Sequence, residues 1–340
     1  MAECGKVRIS PTFEGLERKD KMKLFASGKR EMPRLKQDTY ARDLRKNWQL
    51  YIMVILPIIY ILVFAYGPMY GIQLAFKRYS PRYGIWGSEW VGLFYFKKLL
   101  RTPSFQRIFM NTLRLAVYSI IASFPVPILL ALCMNTMTNK YYKKTVQMVT
   151  YLPNFISNVV IISMIAGLFN SQVGLIGRFL LRVSNGQIKN LLASPAVFPH
   201  IYVWSGVWQS AGWSTIIYMA TLSGVSGEQT EAAIIDGATR RQRVWYIDIP
   251  ALIPVVTINF IMALGGILNV GMEKALLLQN GFNLSRSEVI ATYSYKVGLL
   301  NGSGDFSYGT AIGLFNSVIN FAVLLTVNGI ARRVSETSLW

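Results

Sequence analysis

Charged residues make up only 15% of this 340-residue chain, against about a quarter in soluble domains. Cysteine is nearly absent. Cys4 lies in a charged N-terminal stretch and Cys133 in an uncharged run, which excludes a disulfide framework and a thiolate metal site. His200 is the only histidine, so metal sites built on two or three histidines and relays needing more than one are excluded. No Gly-x-x-x-x-Gly-Lys-[Ser/Thr] occurs, and without it the chain cannot cradle ATP in a phosphate loop. The few carboxylates are scattered and no nucleophile elbow is present, so no catalytic residue is assigned. A membrane-embedded glycosyl- or lipid-transferring enzyme is the alternative function, but it needs clustered acidic or basic groups near the headgroups. An ion channel needs a carbonyl filter or a charged ring, and neither is seen.

Hydrophobic residues supply 52% of the chain, and mean hydropathy is +0.35. Six runs carry no charge: 47–76, 115–139, 145–177, 190–227, 249–272 and 306–331. Each exceeds the roughly 20 helical residues needed to cross a bilayer core of about 30 Å. Backbone groups in lipid must bond within the segment, which a helix achieves. The ten-residue alternating stretches of a β-barrel are missing. The reading is an all-α, multi-pass membrane protein of six transmembrane helices, with both termini on one side.

The net charge of +19 would suggest nucleic acid in a soluble protein. Here its position decides otherwise, and no nucleic-acid partner is expected. Residues 1–46 hold 13 Lys/Arg and end in Arg42, Arg45 and Lys46 beside the first run. This places the N-terminus, and with six spans the C-terminus, in the cytoplasm. Three regions follow: a basic cytoplasmic tail over 1–46, a transmembrane domain over 47–331, and a short cytoplasmic tail over 332–340.

Pro57 and Gly67-Pro68 predict a kinked or broken outer end for the first run. Pro125 and Pro127 predict a break in the second, and Pro153 in the third. The outer segment from Lys77 to Arg107 carries Trp86, Trp90, Phe94, Tyr95 and Phe96, a composition suited to the headgroup level. Between runs four and five lies a loop over 224–250. Ser226 with Gln229 fits a capping box opening a short helix, Glu228 and Glu231 suit its positive end, and Gly237 fits its stop. A second helix over 238–247 exposes Arg240, Arg241 and Arg243. Pro250 and Pro254 are expected to restart the chain as run five. With the small Ala232, Ala233 and Ala238, the loop reads as a rigid knob that docks into a partner's groove.

Glu231-Ala232-Ala233, Asp236-Gly237-Ala238, then Ile247-Asp248-Ile249-Pro250 and Pro254, resemble the EAA loop of ABC importer permeases. Asp248 departs from that pattern, where an uncharged residue is common. YGPMYGIQLAFK over 66–77, WVGL over 90–93, TYLPNFIS over 150–157, NVGME over 269–273 and the terminal Leu339-Trp340 are similar to the oligosaccharide and polysaccharide permeases of carbohydrate-uptake ABC importers. This resemblance, over roughly residues 45–340, implies a type I ABC importer permease fold in a bacterial cytoplasmic membrane. It implies pairing with a second homologous permease, two ATPase subunits that bind ATP and Mg, and an extracytoplasmic sugar-binding protein. No cofactor is expected on this chain. Glu231, Ala232, Ala233, Asp236, Gly237, Ala238 and Arg240 would couple it to the ATPases.

A sugar path needs polar and aromatic groups inside the membrane, because amides offer donors and acceptors to hydroxyls. Candidates are Tyr151, Asn154, Asn158, Trp208, Gln209, Trp213, Asn259, Asn269, Asn316 and Asn320. The resemblance favours Tyr151, Trp208, Trp213 and Asn269. Helix–helix hydrogen bonding accounts equally for such residues. Glu273 and Lys274 end run five, where they meet either a water-filled vestibule or a solvated boundary. Basic residues on the outer side fit acidic sugars such as uronate oligomers, lipid headgroups or the binding protein alike.

Overall fold

The computed structural model describes residues 46–184, 190–300 and 304–334. The N-terminal tail up to residue 45 and the terminal Leu339-Trp340 lie outside them. The chain forms two compact units, Met1–Met69 and Tyr70–Trp340. In the first, α1 (Trp48–Ile61) contains Pro57, widens into a π turn at Leu62–Tyr66 and ends in a short helical turn, Gly67–Met69. Pro68 can donate no hydrogen bond to the preceding turn and its ring crowds that turn. One extra residue in the turn relieves both, so the expected break is instead a change of pitch. No residue of α1 is buried. A helix apolar all round suits lipid or another subunit.

The second unit opens with a 3-10 segment, Tyr70–Phe76, and a short antiparallel pair in which β1 (Lys77–Arg78) faces β2 (Glu89–Trp90), Lys77 opposite Trp90. After α2 (Phe94–Arg101), α3 (Pro103–Ser123) begins on a proline at its first position, where a missing N–H costs nothing. It meets α4 (Pro125–Asn135) across one residue, Phe124, which stays helical and donates to the Ile120 carbonyl at 3.0 Å. The predicted break at Pro125 and Pro127 is therefore confined to Phe124: Pro125 takes the first position of α4, and Pro103–Asn135 runs on as one span.

Pro153 does break the third run. α5 (Lys140–Tyr151) is capped by Asn139 Oδ1, which accepts from the Tyr141 N–H at 2.9 Å. A 3-10 turn over Leu152–Phe155 follows, and α6 (Asn158–Phe169) leaves at 98° to the preceding segment. Then come α7 (Leu175–Val183), α8 (Phe198–Ser223), α9 (Gly227–Ile235) and α10 (Arg240–Arg243).

Two sequence expectations fail at this point. Ser226 takes the N-cap position of α9 but its hydroxyl makes no cap bond. The chain is still closing α8 there, through Val225 N–H to the Leu222 carbonyl. The capping box instead opens α10, with Thr239 and Gln242 bonded reciprocally. Nor do Pro250 and Pro254 restart the chain. α10 passes through a π turn, Val244–Asp248, straight into α11 (Ile249–Gly265). The π turn makes room for the Pro250 ring, and a 26-residue helix, Arg240–Gly265, results.

After α11 come α12 (Met272–Leu278), α13 (Ile290–Tyr295) and α14 (Phe306–Val334). Among the described residues, four helices are long and apolar enough to cross a membrane: Trp48–Phe76, Pro103–Asn135, Arg240–Gly265 and Phe306–Arg333. The bent pair α5–α6 makes five. The fourth uncharged run forms α8, which spans 26 residues but is diluted by Ser205, Gln209, Ser210, Ser214 and three tryptophans.

α8 is the central element. It packs on α3, α4, α5 and α11, burying Tyr202, Val207, Ala211, Tyr218 and Leu222. A Cβ at Gly212 would collide with the Thr150 carbonyl, so only glycine lets α8 approach the end of α5 this closely. α14 packs on α11 and on the 3-10 segment. Buried Asn320 on α14 ties off the turn after α11. Its Oδ1 accepts from the Leu268 N–H at 3.0 Å and its Nδ2 donates to Asn269 Oδ1 at 2.9 Å. Asn320→Leu should leave the Leu268 N–H unpaired at a cost of about 1–3 kcal/mol, read as a lower unfolding midpoint in detergent. An unchanged midpoint would show that the turn does not depend on this amide.

Candidate functional site

Two neighbouring cavities lie along one face of α8. Gly206, Ser210, Trp213, Ser214 and Ile217 recur every three or four residues, the spacing of a single helix face. The larger cavity, about 670 Å3, is lined by Ser123, Ser210, Trp213 and Asn259 among others. The smaller, about 410 Å3, is lined by Ser123, Asn158, Gly206, Gln209, Ser210, Glu273 and Lys274 among others. Ser123 and Ser210 belong to both walls, so the two hollows adjoin. Small hydroxyls at the junction leave width without losing hydrogen-bonding capacity.

In the smaller cavity, Asn158 Nδ2 donates to Glu273 Oε2 at 2.7 Å. Gln209 Nε2 donates to the Ile156 carbonyl at 3.0 Å, which pins the break after Pro153 to α8. Lys274 sits on α12, beyond the end of the spanning helix, and is 8% exposed. Its ammonium lies 5.2 Å from the Tyr202 ring centre. Burial pushes its pKa down to about 8, so it remains mostly a cation at pH 7. No carboxylate pairs with it among the described residues. A Cβ at Gly206 would come within 3.1 Å of Nζ, so the glycine makes room for the lysine.

Of the residues chosen from sequence, the structure brings Asn158, Gln209 and Glu273 to one cavity and Trp213 and Asn259 to the other. The Trp213 ring meets Phe155 edge-on, 5.8 Å between centres. Tyr151 ends α5 and Asn154 sits in the 3-10 turn; both are half-buried and line neither hollow. Trp208 is exposed on another face of α8. Asn269 accepts from Asn316 and Asn320 at 3.3 and 2.9 Å, a helix-tying role. Sequence reasoning missed Ser123, Gly206 and Ser210. The signal for Gly206 and Ser210 was a period-of-four series of small residues, Gly206, Ser210 and Ser214, along run four; Ser123, in run two, carried no such signal.

The 224–250 loop stands apart from these hollows. Gly237 has φ +78°. Its N–H bonds the Ile234 carbonyl and the Ala238 N–H bonds the Ala233 carbonyl, at 3.0 and 2.9 Å. This is the double closure of a Schellman motif. No residue of α9 is buried, and Glu231, Ala232, Asp236 and Arg240 are exposed. Ile235, Trp245 and Tyr246 expose large apolar side chains beside them. Ala232, Ala233 and Asp236 line a shallow hollow of about 940 Å3 with Gln229, Tyr246 and Pro250. Arg240 lines another with Arg243 and Asp248.

A family described as "Binding-protein-dependent transport system inner membrane component" matches residues 125–336. The chain is 36% identical over 315 residues to Protein LplB of Bacillus subtilis, covering 92% of this chain and 98% of that protein. It is 38% identical over 291 residues to the polygalacturonan/rhamnogalacturonan transport system permease protein YteP of Bacillus subtilis, covering 86% and 90%. A chain in the crystal structure of a bacterial alginate ABC transporter, in complex with an alginate pentasaccharide-bound periplasmic protein, superposes with a TM-score of 0.77. It is 34% identical and spans 88% of this chain and 99% of that one.

Ser210→Cys, in a chain with Cys4 and Cys133 changed to alanine, should react with a small water-soluble thiol reagent. Thr215→Cys, at a fully buried position one turn on, should not. Equal protection of both would mean that the junction of the two hollows is closed to water.

Proposed function

The chain belongs to the family of inner membrane components of binding-protein-dependent transport systems, and from that membership we propose that it is the permease subunit of an oligosaccharide-importing ABC transporter. It crosses a bacterial cytoplasmic membrane six times, with α8 as one of the spans and both termini inside. It pairs with a second, homologous permease, receives its sugar from an extracytoplasmic binding protein, and takes its energy from two ATPase subunits that hold ATP and Mg. The matched permease named for polygalacturonan and rhamnogalacturonan and the transporter named for alginate favour saccharides released from polysaccharides.

One observation carries the mechanism. The end of the knob, from Arg240 on, and the cavity wall are parts of one helix. α10 at the loop continues without a break into α11, whose Asn259 and Ala263 line the larger cavity. Sixteen residues from Arg243 to Asn259 span about 24 Å at 1.5 Å per residue. A displacement of the knob by an ATPase subunit is thereby delivered to the sugar path as motion of a stiff rod, which opens one side of the path as it closes the other. Glu231, Ala232, Ala233, Asp236, Gly237, Ala238 and Arg240 form the docking face. Asn158, Trp213, Asn259 and Glu273 face the path, and Tyr151, Asn154, Trp208 and Asn269 support it or meet it in other states of the cycle.

Gly237→Asp tests this assignment. Nothing lies within 4 Å of a Cβ there, so the cost is backbone strain of about 1 kcal/mol and a distorted knob. Glu231→Lys reverses charge on the same face. Both variants should insert and pair with the second permease, yet lose the rise in ATPase turnover that sugar-loaded binding protein causes. Normal stimulation and uptake in both would make the loop an ordinary connector. Co-purification that brings down no ATPase subunit would defeat the partner assignment.

A further inference from the structure

Lys274 is a charge that the transport reading leaves unexplained. A buried ammonium is costly unless something compensates it, and here its one described neighbour of opposite character is the face of the Tyr202 ring. The surroundings nevertheless accommodate it: Gly206 leaves the space its Nζ fills, and it forms part of the wall of the 410 Å3 hollow beside Ser210 and Gln209. The other charge on that wall, Glu273, is exposed and already bonded to Asn158. Water screens an exposed carboxylate, whereas a buried ammonium acts through a low dielectric. The cation therefore dominates what a solute in this hollow feels.

Resting on the proposed function, we infer that Lys274 reads the carboxylate of a uronic-acid residue as the oligosaccharide passes the smaller cavity, and so selects acidic over neutral sugars. The Gln209 amide oxygen and the Ser210 hydroxyl oxygen lie on the same wall and can accept from ring hydroxyls, while their own hydrogens go to the Ile156 and Gly206 carbonyls. A lysine serves a passage site better than an arginine fork, because a single point charge holds a carboxylate without a bidentate clasp and lets it leave.

The experiment uses the full transporter, with its second permease, ATPases and binding protein, in proteoliposomes. It measures uptake of a uronate oligosaccharide and a neutral oligosaccharide of equal length. The wild type should favour the uronate. Lys274→Met should lower the uronate-to-neutral uptake ratio by about tenfold, the loss expected for one charge-assisted bond, and Lys274→Arg should restore most of it. A wild type that favours the neutral sugar overturns the inference whether or not the variants assemble. So does Lys274→Met lowering both uptakes equally, as a merely structural lysine would. Uptake of neither sugar by the wild type would instead defeat the transport reading, and the inference with it.

Discussion

The structure turns on a helix that survives a proline. Pro250 has no N–H to give and its ring crowds the previous turn, so an ordinary α-helix would kink or end there. The π turn at Val244–Asp248 absorbs the misfit. As a result Arg240, at the end of the knob, and the cavity wall share one rod, Arg240–Gly265. The Schellman stop at Gly237 gives the knob a fixed corner on its outer side. Buried Asn320 fixes the far end, holding the turn that follows Gly265 against α14. Either end tied loosely would let the rod pivot without moving the path.

α8 supplies the other half of the design. It is too polar to rank with the four most apolar spans, and that polarity lies on the face where the two hollows meet. Its opposite face is packed closely, with Gly212 against the Thr150 carbonyl and Ala211 buried. A wall that is small and polar on one side and tightly packed on the other can shift as a body without opening a gap behind it. Lys274 adds a buried positive charge to the narrower hollow, beside an exposed negative one.

Much of this was legible from residues alone. Absence of charge over six long runs marked the helices, because lipid tolerates few alternatives. Pro153 marked the sharp turn, since a proline deep in a helix with a second helix soon after leaves the chain little choice. Gly237 marked the end of the loop helix, since only glycine takes φ +78° without strain. What sequence could not show was how a misfit is relieved. Pro125 and Pro250 look like the same interruption as Pro153, but the first sits at a helix start and the second is eased by a π turn, which depends on neighbouring backbone. Ser226-Gln229 and Thr239-Gln242 share one spacing, and only the second closes a capping box, because the first is still held by the end of α8. Among the amides, Asn158 and Asn269 look alike in sequence. Packing makes one a partner of Glu273 at a cavity and the other an internal tie.

On this mechanism the end of the knob and the cavity wall move as one rod. Spin labels at Arg241 and at exposed Phe260, with their separation measured by pulsed electron resonance in the assembled transporter, test it most directly. Nineteen residues of helix place the two positions about 28 Å apart. The separation should be the same, and equally narrow, in the nucleotide-free and the ATP-trapped complex. A shift of several Å, or a marked broadening on ATP binding, would show that the helix bends between the labels, at Val244–Asp248 or at Pro254, and that motion of the knob does not reach the path through it.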